Sequence, residues 1–332
     1  MLRIAVNGFG RIGKLAVRIL MDTPDVEVVA INNTTDTPGC AYNYKYDSVH
    51  RTLDTEAYMD GEYLVIDGRR IRIVSDYEAL NLPWKELNVD LVLECTGAYT
   101  KYEDAYKHIT AGAKKVLISA PGKGDMKTIV YGVNDDTLDG SEEVVSAASC
   151  TTNCLAPVLK VINDEFGIEC GFMSTIHAYT NDQETLDKPH SKGIASRRGR
   201  AAALSIIPTT TGAASAIGKV IPELDGKLDG CAFRVPSPDG SLIDVTLKLK
   251  KDVTKEEVND VIKSHANYVL KYTDDLVVSA DVIGNVCGAL VDGALTNVVE
   301  NDGEKLVKVV AWYDNEMGYT AQMIRTGISM FK

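Results

Sequence analysis

The stretch NGFGRIG (7–13) constrains this chain more than any other. It joins a short apolar run, LRIAVN (2–7), to KLAVRILM (14–21), whose apolar residues recur at helical spacing. VEVVAIN (26–32) then reads as a second strand. A lone G-x-G-x-x-G is weak, but Gly8, Gly10 and Gly13 lie between the strand and helix of one βαβ unit, where the spacing has a mechanism. The first glycine permits the tight turn, the second lets a pyrophosphate approach the backbone, and the third lets helix pack on strand. The helix N-terminus favours the anion. The unit implies a dinucleotide site on a parallel sheet.

A chain of 332 residues exceeds what one core normally supports, so two domains are expected. Apolar runs at 91–94, 115–119, 128–133 and 144–148, with a helical stretch near 102–112, continue the alternating pattern. YLVIDGRRIRIV reads as an inserted hairpin turning at Asp67-Gly68. After residue 150 the pattern changes. CLAPVLKVINDEFG reads as a helix ending at Gly167, and long β-rich runs follow, the last with a turn at Asp302-Gly303. The expected fold class is therefore α/β, a doubly wound, mainly parallel Rossmann-type sheet, plus an α+β catalytic domain with a largely antiparallel sheet. The expected domains are 1–149, completed by a closing helix at 316–332, and 150–315. The polar segment 181–200 lacks any clean period and reads as a site or interface loop.

With 35 basic and 47 acidic residues the net charge is −12, which argues against nucleic acid or an anionic membrane as partner. No run of eighteen apolar residues and no leader pattern is present, so a soluble, cytoplasmic protein is expected. Seven cysteines, an odd number scattered through apolar contexts, do not suggest a disulfide framework. Cys150 and Cys154 are spaced C-x3-C, with no second ligand pair nearby, so no metal site is expected.

Cys150 stands where the run VVSAAS meets the helical segment. There the helix dipole is expected to lower its pKa, provided the first turn forms despite Pro157. Cys154, one turn on, is expected to face inward. A nucleophilic thiol needs a base, and of five histidines only His177 ends an apolar strand and leads into a hydroxyl-rich loop, IHAYTND. The settings of His50, His108, His190 and His265 are polar or helical and suggest no chemistry. A histidine at a strand end also serves as a hydrogen-bonded core residue, and spacing alone does not pair it with Cys150.

AVNGFGRIG, KYDSVH, ASCTTNC, HAYTNDQ, IIPTTTGAA, RVPSP and WYDNEMGY, in this order over essentially the whole chain, resemble the phosphorylating glyceraldehyde-3-phosphate dehydrogenase family. The resemblance implies that Cys150 attacks an aldehyde carbon, that hydride passes from the adduct to NAD, and that inorganic phosphate attacks the resulting thioester. His177 would act as the base. Thr180, Asp182 and Arg234 would surround the substrate phosphate, and Ser149, Thr151, Arg198, Thr211 and Gly212 the attacking phosphate. Besides the three glycines, Arg11, Ile12, Ser119 and Asn315 would contact the cofactor, with Tyr319 packing against the nicotinamide. A homotetramer is also implied.

Three departures bear on cofactor choice and interfaces. The acidic residue expected about 20 residues past the glycines is Asn33, which can bond a ribose hydroxyl but brings no charge to repel a 2′-phosphate. This opens NADP or dual use, with Asp36 as the nearest source of charge. The loop after HAYTNDQ differs from the family's compact form and offers Lys188 and Lys192 to such a phosphate. Arg51 replaces a usual glycine, and Tyr77 a frequent arginine. Erythrose-4-phosphate dehydrogenase, or a noncatalytic binding or redox-sensing role, is the alternative reading.

Overall fold

The computed structural model describes residues 1–190, 193 and 195–332. The chain divides into two compact units, Met1–Ser149 with Thr320–Lys332, and Cys150–Tyr319.

The first unit contains β1 (Leu2–Asn7), α1 (Arg11–Met21), β2 (Val26–Asn32), α2 (Cys40–Lys45), β3 (Ala57–Asp60), β4 (Tyr63–Ile66), β5 (Arg69–Val74), β6 (Leu91–Glu94), α3 (Tyr102–Ala105), α4 (Lys107–Thr110), β7 (Lys115–Ile118) and β8 (Val144–Ser146). Its sheet runs β3-β4-β5-β2-β1-β6-β7-β8. Strands from β5 through β8 are parallel, and β3 and β4 are attached antiparallel. β2 lies on one side of β1 and β6 on the other, so the winding reverses at β1. That reversal opens a crevice at the carboxyl ends of the strands. Central strands covered on both faces need near-continuous apolar runs, as LVL (91–93) and VLI (116–118) are. Trp84, fully buried, packs in one cluster with Ala5, Val92, Val116 and Ile118. Each large apolar side chain so buried contributes about 1.5–3 kcal/mol.

The β4–β5 hairpin forms as expected, with Asp67 and Gly68 both left-handed at φ 46° and 79°. One expectation fails. Residues 128–133 do not form a strand beyond a single bridge at Thr128, because the Asn134 side chain takes the Val130 N–H at 2.8 Å and turns the backbone. The stretch near 102–112 is helical as expected, in two short helices, α3 and α4, divided at Tyr106.

The second unit contains α5 (Cys150–Phe166), β9 (Ile168–Ala178), β10 (Ile207–Thr210), α6 (Ala213–Val220), β11 (Leu228–Val235), β12 (Ser241–Leu249), α7 (Lys255–Ser264), β13 (Leu270–Thr273), β14 (Ala289–Asp292), β15 (Asn297–Asn301) and β16 (Glu304–Tyr313). The closing helix α8 spans Met317–Ser329, and from Thr320 on it belongs to the first unit. There a Cβ added to Gly327 would meet Leu91 at 2.9 Å and Leu117 at 3.4 Å, so the helix rides close on β6 and β7. The second sheet runs β10-β11-β9-β12-β16-β14-β13, with β15 also on β16. It is antiparallel except where β9 meets β11 and β13 meets β14. β11 and β12 are adjacent in sequence but do not pair, because β9 lies between them. The parallel register of β9 and β11 sets Arg234 beside His177. α5 begins at Cys150 and continues through Pro157, so its first turn is formed.

Candidate active site

In the second unit, the first residue of α5 meets the end of β9. Cys150 Sγ lies 3.3 Å from His177 Nε2. His177 Nδ1 is 2.7 Å from the Ala178 carbonyl, which can only accept, so the proton sits on Nδ1 and the lone pair on Nε2 faces the thiol. Burial pushes the Cys150 thiol up, against the pull of Arg234. This reverses the lowering expected from the helix dipole alone. Burial, with the Arg234 guanidinium next, pushes His177 down to about 3. The proton that must leave Sγ has the Nε2 lone pair within reach, and every cation brought to the site favours the thiolate that remains. Cys154 is fully buried, its sulfur 3.8 Å from the Ala311 carbonyl. It faces inward, as expected.

The Ala178 peptide ties this pair to its surroundings. Its carbonyl accepts from Arg234 Nη1 at 3.2 Å as well as from His177. Its N–H donates at 3.0 Å to Ser241 Oγ, which donates at 2.7 Å to Asn315 Oδ1. With Oδ1 occupied, the donor end of the Asn315 amide is the end offered elsewhere. Tyr319 is buried in the first turn of α8.

Arg234 Nη1 also donates to Thr180 Oγ1 at 2.8 Å, and Thr180 donates onward to Asp182 at 2.5 Å. The other Asp182 oxygen pairs with Arg198, whose Nε donates to Thr209 Oγ1 at 3.1 Å. Guanidinium, hydroxyl, carboxylate and guanidinium thus alternate. Among the described residues the buried Arg234 Nε has no partner, which leaves it as a donor for an anion. Asp182 is itself an anion, so its geometry is that of a counter-ion orienting Arg198 rather than of a phosphate ligand.

Thr151 is set by a second chain. Thr175 Oγ1 donates to the Leu242 carbonyl at 3.0 Å, so it accepts from Tyr313 Oη at 2.8 Å, and Tyr313 in turn accepts from Thr151 Oγ1 at 3.0 Å. The Thr151 hydroxyl proton is spent, which leaves its peptide N–H at the start of α5 as the donor for an anion. Sequence reasoning missed Tyr313 and Thr175. Their only signal was the alternation that turns both inward. Thr211 Oγ1 accepts from Ala213 N at 3.2 Å, and Gly212 caps α6 with open space where a side chain would be. Both lie just beyond Thr209, which holds Arg198.

In the first unit Gly8, Gly10, Arg11, Ile12, Gly13, Asn33 and Ser119 gather at the carboxyl ends of β1, β2 and β7. Ser149 is the last residue of the unit's first segment. A Cβ on Gly13 would come within 1.9 Å of the Gly8 carbonyl, Gly8 adopts φ 96°, and Gly10 faces open space. The loop is thus built tight on one side and bare on the other, as a pyrophosphate requires. Arg11 Nη1 is bound at 2.5 Å to the buried carboxylate of Asp47, which Lys14 also reaches at 2.6 Å. Lys188 lies 3.8 Å from Glu184, and Lys192 is outside the described residues.

Behind the loop is a buried polar cluster that the sequence reading overlooked. Glu94, at the end of β6, accepts from Asn7 Nδ2 at 2.5 Å, from Thr96 N at 2.8 Å and from the Thr96 hydroxyl. The Trp84 indole N–H, which can only donate, is 2.9 Å from His108 Nδ1. His108 therefore carries its proton on Nε2 and donates it to Glu94 at 3.2 Å. Asn32 Nδ2 donates to Asn7 Oδ1 at 2.7 Å. The ends of β1, β2 and β6 are thereby locked together next to Gly8. His108 is fully buried, which its polar sequence neighbours did not reveal.

Residues 149–315 match the family described as glyceraldehyde 3-phosphate dehydrogenase, C-terminal domain, and residues 2–102 match its NAD binding domain. Curated relatives named glyceraldehyde-3-phosphate dehydrogenase include those of Clostridium pasteurianum, 56% identical over 98% of this chain and 97% of the relative, and Lactobacillus delbrueckii subsp. bulgaricus, 51% over 98% and 97%. That of Geobacillus stearothermophilus is 50% identical over 97% and 96%. A thiol facing an imidazole beside two guanidiniums can arise on many scaffolds. Matched over nearly its whole length to these relatives, this chain belongs to the glyceraldehyde 3-phosphate dehydrogenase family.

Proposed function

We propose that the chain oxidises glyceraldehyde 3-phosphate to 1,3-bisphosphoglycerate with NAD and inorganic phosphate. The observation that carries this is the Cys150–His177 contact at 3.3 Å, with the histidine tautomer fixed by Ala178 and Arg234 beside it in register. Bound NAD supplies the hydride acceptor. The bare rim of the glycine loop and the peptide N–H groups of Arg11 and Ile12 suit its pyrophosphate, and the Asn315 amide and Tyr319 suit its nicotinamide.

Cys150 adds through sulfur to the aldehyde carbon while its proton passes to His177 Nε2 and on to the forming oxyanion, giving a hemithioacetal. His177 then takes the hydroxyl proton as hydride departs from carbon, leaving a thioester on Cys150. A phosphate oxygen attacks the thioester carbon, the C–S bond breaks, and the thiolate recovers a proton from His177. Arg234 and Thr180 bind the substrate phosphate. Arg198, steered by Asp182, and the first-turn peptides after Ser149 bind the attacking phosphate, with Thr211 and Gly212 at the start of α6.

Erythrose-4-phosphate dehydrogenase is not favoured, since the relatives carry the glyceraldehyde name. The intact thiol–imidazole pair speaks against a noncatalytic role. Among the described residues no helix is long and apolar enough to cross a membrane. The family supports a cytoplasmic homotetramer, which light scattering checks. Initial rates of NADH formation on both aldehydes, with and without phosphate, test the reaction. Phosphate-dependent turnover preferring the three-carbon aldehyde is expected, and phosphate-independent turnover preferring the four-carbon sugar overturns it.

A further inference from the structure

Asn33 stands where an acidic residue would exclude a 2′-phosphate, which left NADP use open. The structure removes Asn33 from that role. Its side chain is turned inward, donating to the Asp36 carbonyl at 3.0 Å and to Cys40 Sγ at 3.3 Å, and accepting the Thr35 hydroxyl at 2.9 Å. Asn33 and Thr35 have thus spent their side-chain donors on each other and on the loop.

A cavity of about 490 Å³ opens here, walled by Phe9 of the glycine loop, Asn33, Asp36, Asn43 and the Tyr42 and Tyr46 rings. The Asn43 amide donates to the Phe9 carbonyl at 3.0 Å, which joins this wall to the glycine loop. Among the described residues no Lys or Arg lines the cavity, and Asp36 is the one charged side chain on its wall. Its Oδ1 accepts from Gly39 N at 3.0 Å, and its Oδ2 occupies the place a side chain at position 39 would fill, 2.0 Å from an added Cβ. The carboxylate is held in place because residue 39 is glycine.

We infer that Asp36, seated against Gly39, is the residue that selects NAD over NADP. This deepens the NAD-dependent reading above and rests on it. The ribose of a dinucleotide docks at the end of the second strand of such a unit. A ribose 2′-hydroxyl is a donor and suits a carboxylate. A 2′-phosphate only accepts and bears about two negative charges, so it meets repulsion from Asp36 and, among the described residues of the cavity, no cation in compensation.

Titration calorimetry with NAD and with NADP tests this without turnover. Asp36→Asn should tighten NADP by about tenfold at low salt, shrinking as salt rises, and move NAD by less than about threefold. Gly39→Ala keeps the charge but evicts it from its seat, and should shift the ratio the same way by less. Asn33→Asp loses the donor to the Asp36 carbonyl and should weaken both cofactors together. An unchanged NADP/NAD ratio in Asp36→Asn, or a ratio that moves only in Asn33→Asp, overturns the inference. Failure of the wild-type protein to bind either dinucleotide overturns the NAD-dependent reading itself, and this inference with it.

Discussion

Replacing His177 by Asn separates the proton acceptor from everything else that His177 does. An Asn side chain can still donate to the Ala178 carbonyl, which His177 Nδ1 reaches at 2.7 Å, so the peptide that also receives Arg234 keeps a partner. What disappears is the Nε2 lone pair 3.3 Å from Cys150 Sγ. General-base assistance is worth about 10²–10⁴ in rate, or roughly 3–5 kcal/mol of barrier, and kcat should fall by that amount. KM for the aldehyde should hold within about threefold, because Arg234 and Thr180, which bind its phosphate, are untouched. Stopped-flow measurement of NADH formation gives the split, and iodoacetamide alkylation of Cys150 across pH gives a second readout. In the variant the thiol has lost its base but keeps the burial that pushes its pKa up, so alkylation should slow near neutrality and recover only in alkali. A kcat within about tenfold of wild type, or a loss confined to KM, would refute the role.

Three further outcomes follow from the first unit. Gly13→Ala places a Cβ 1.9 Å from the Gly8 carbonyl, so NAD binding by calorimetry should be lost or weakened by at least about a hundredfold, and ordinary affinity would show that the loop yields. Burial raises the Asp47 pKa, but hydrogen bonds from Arg11 and Lys14 outweigh it and hold the carboxyl well below its usual range. Its folded pKa is depressed, so its stabilisation is complete above the unfolded value near ~4 and is lost as pH falls below it. Wild type should lose more stability than Asp47→Asn between about pH 4 and 2, and parallel acid melts would contradict this. Arg51, exposed and left-handed at φ 67°, stands where the family usually has glycine. Arg51→Gly should leave stability unchanged or raise it by up to about 1 kcal/mol, and a drop beyond about 1 kcal/mol in urea unfolding would show that the side chain matters.

The parts of the fold that were legible in sequence are those with a local signature. The glycine loop, the Asp67-Gly68 and Asp302-Gly303 turns and the α5 start at Cys150 each need particular backbone angles or a helix end that few residues supply. The segment 128–133 deceived because apolar composition alone does not separate a strand from a buried turn, and the Asn134 side chain decided the matter. What could not be read was pairing across the chain. The register that sets Arg234 beside His177, the position of β9 between β11 and β12, and the Glu94–His108–Trp84 cluster join segments tens of residues apart. Asn33 misled for a related reason. Its position is where ribose recognition is expected, but its hydrogen bonds are turned to the loop behind it and the exposed charge comes from Asp36.

The most direct test of the chemistry is to trap its covalent intermediate. The protein is incubated with NAD and glyceraldehyde 3-phosphate in the absence of inorganic phosphate, quenched in acid and mapped by mass spectrometry. A single 3-phosphoglyceryl thioester on Cys150 is expected, discharged to the acyl phosphate when phosphate is added before the quench. An adduct on another cysteine, or one on Cys150 that phosphate does not discharge, would contradict it.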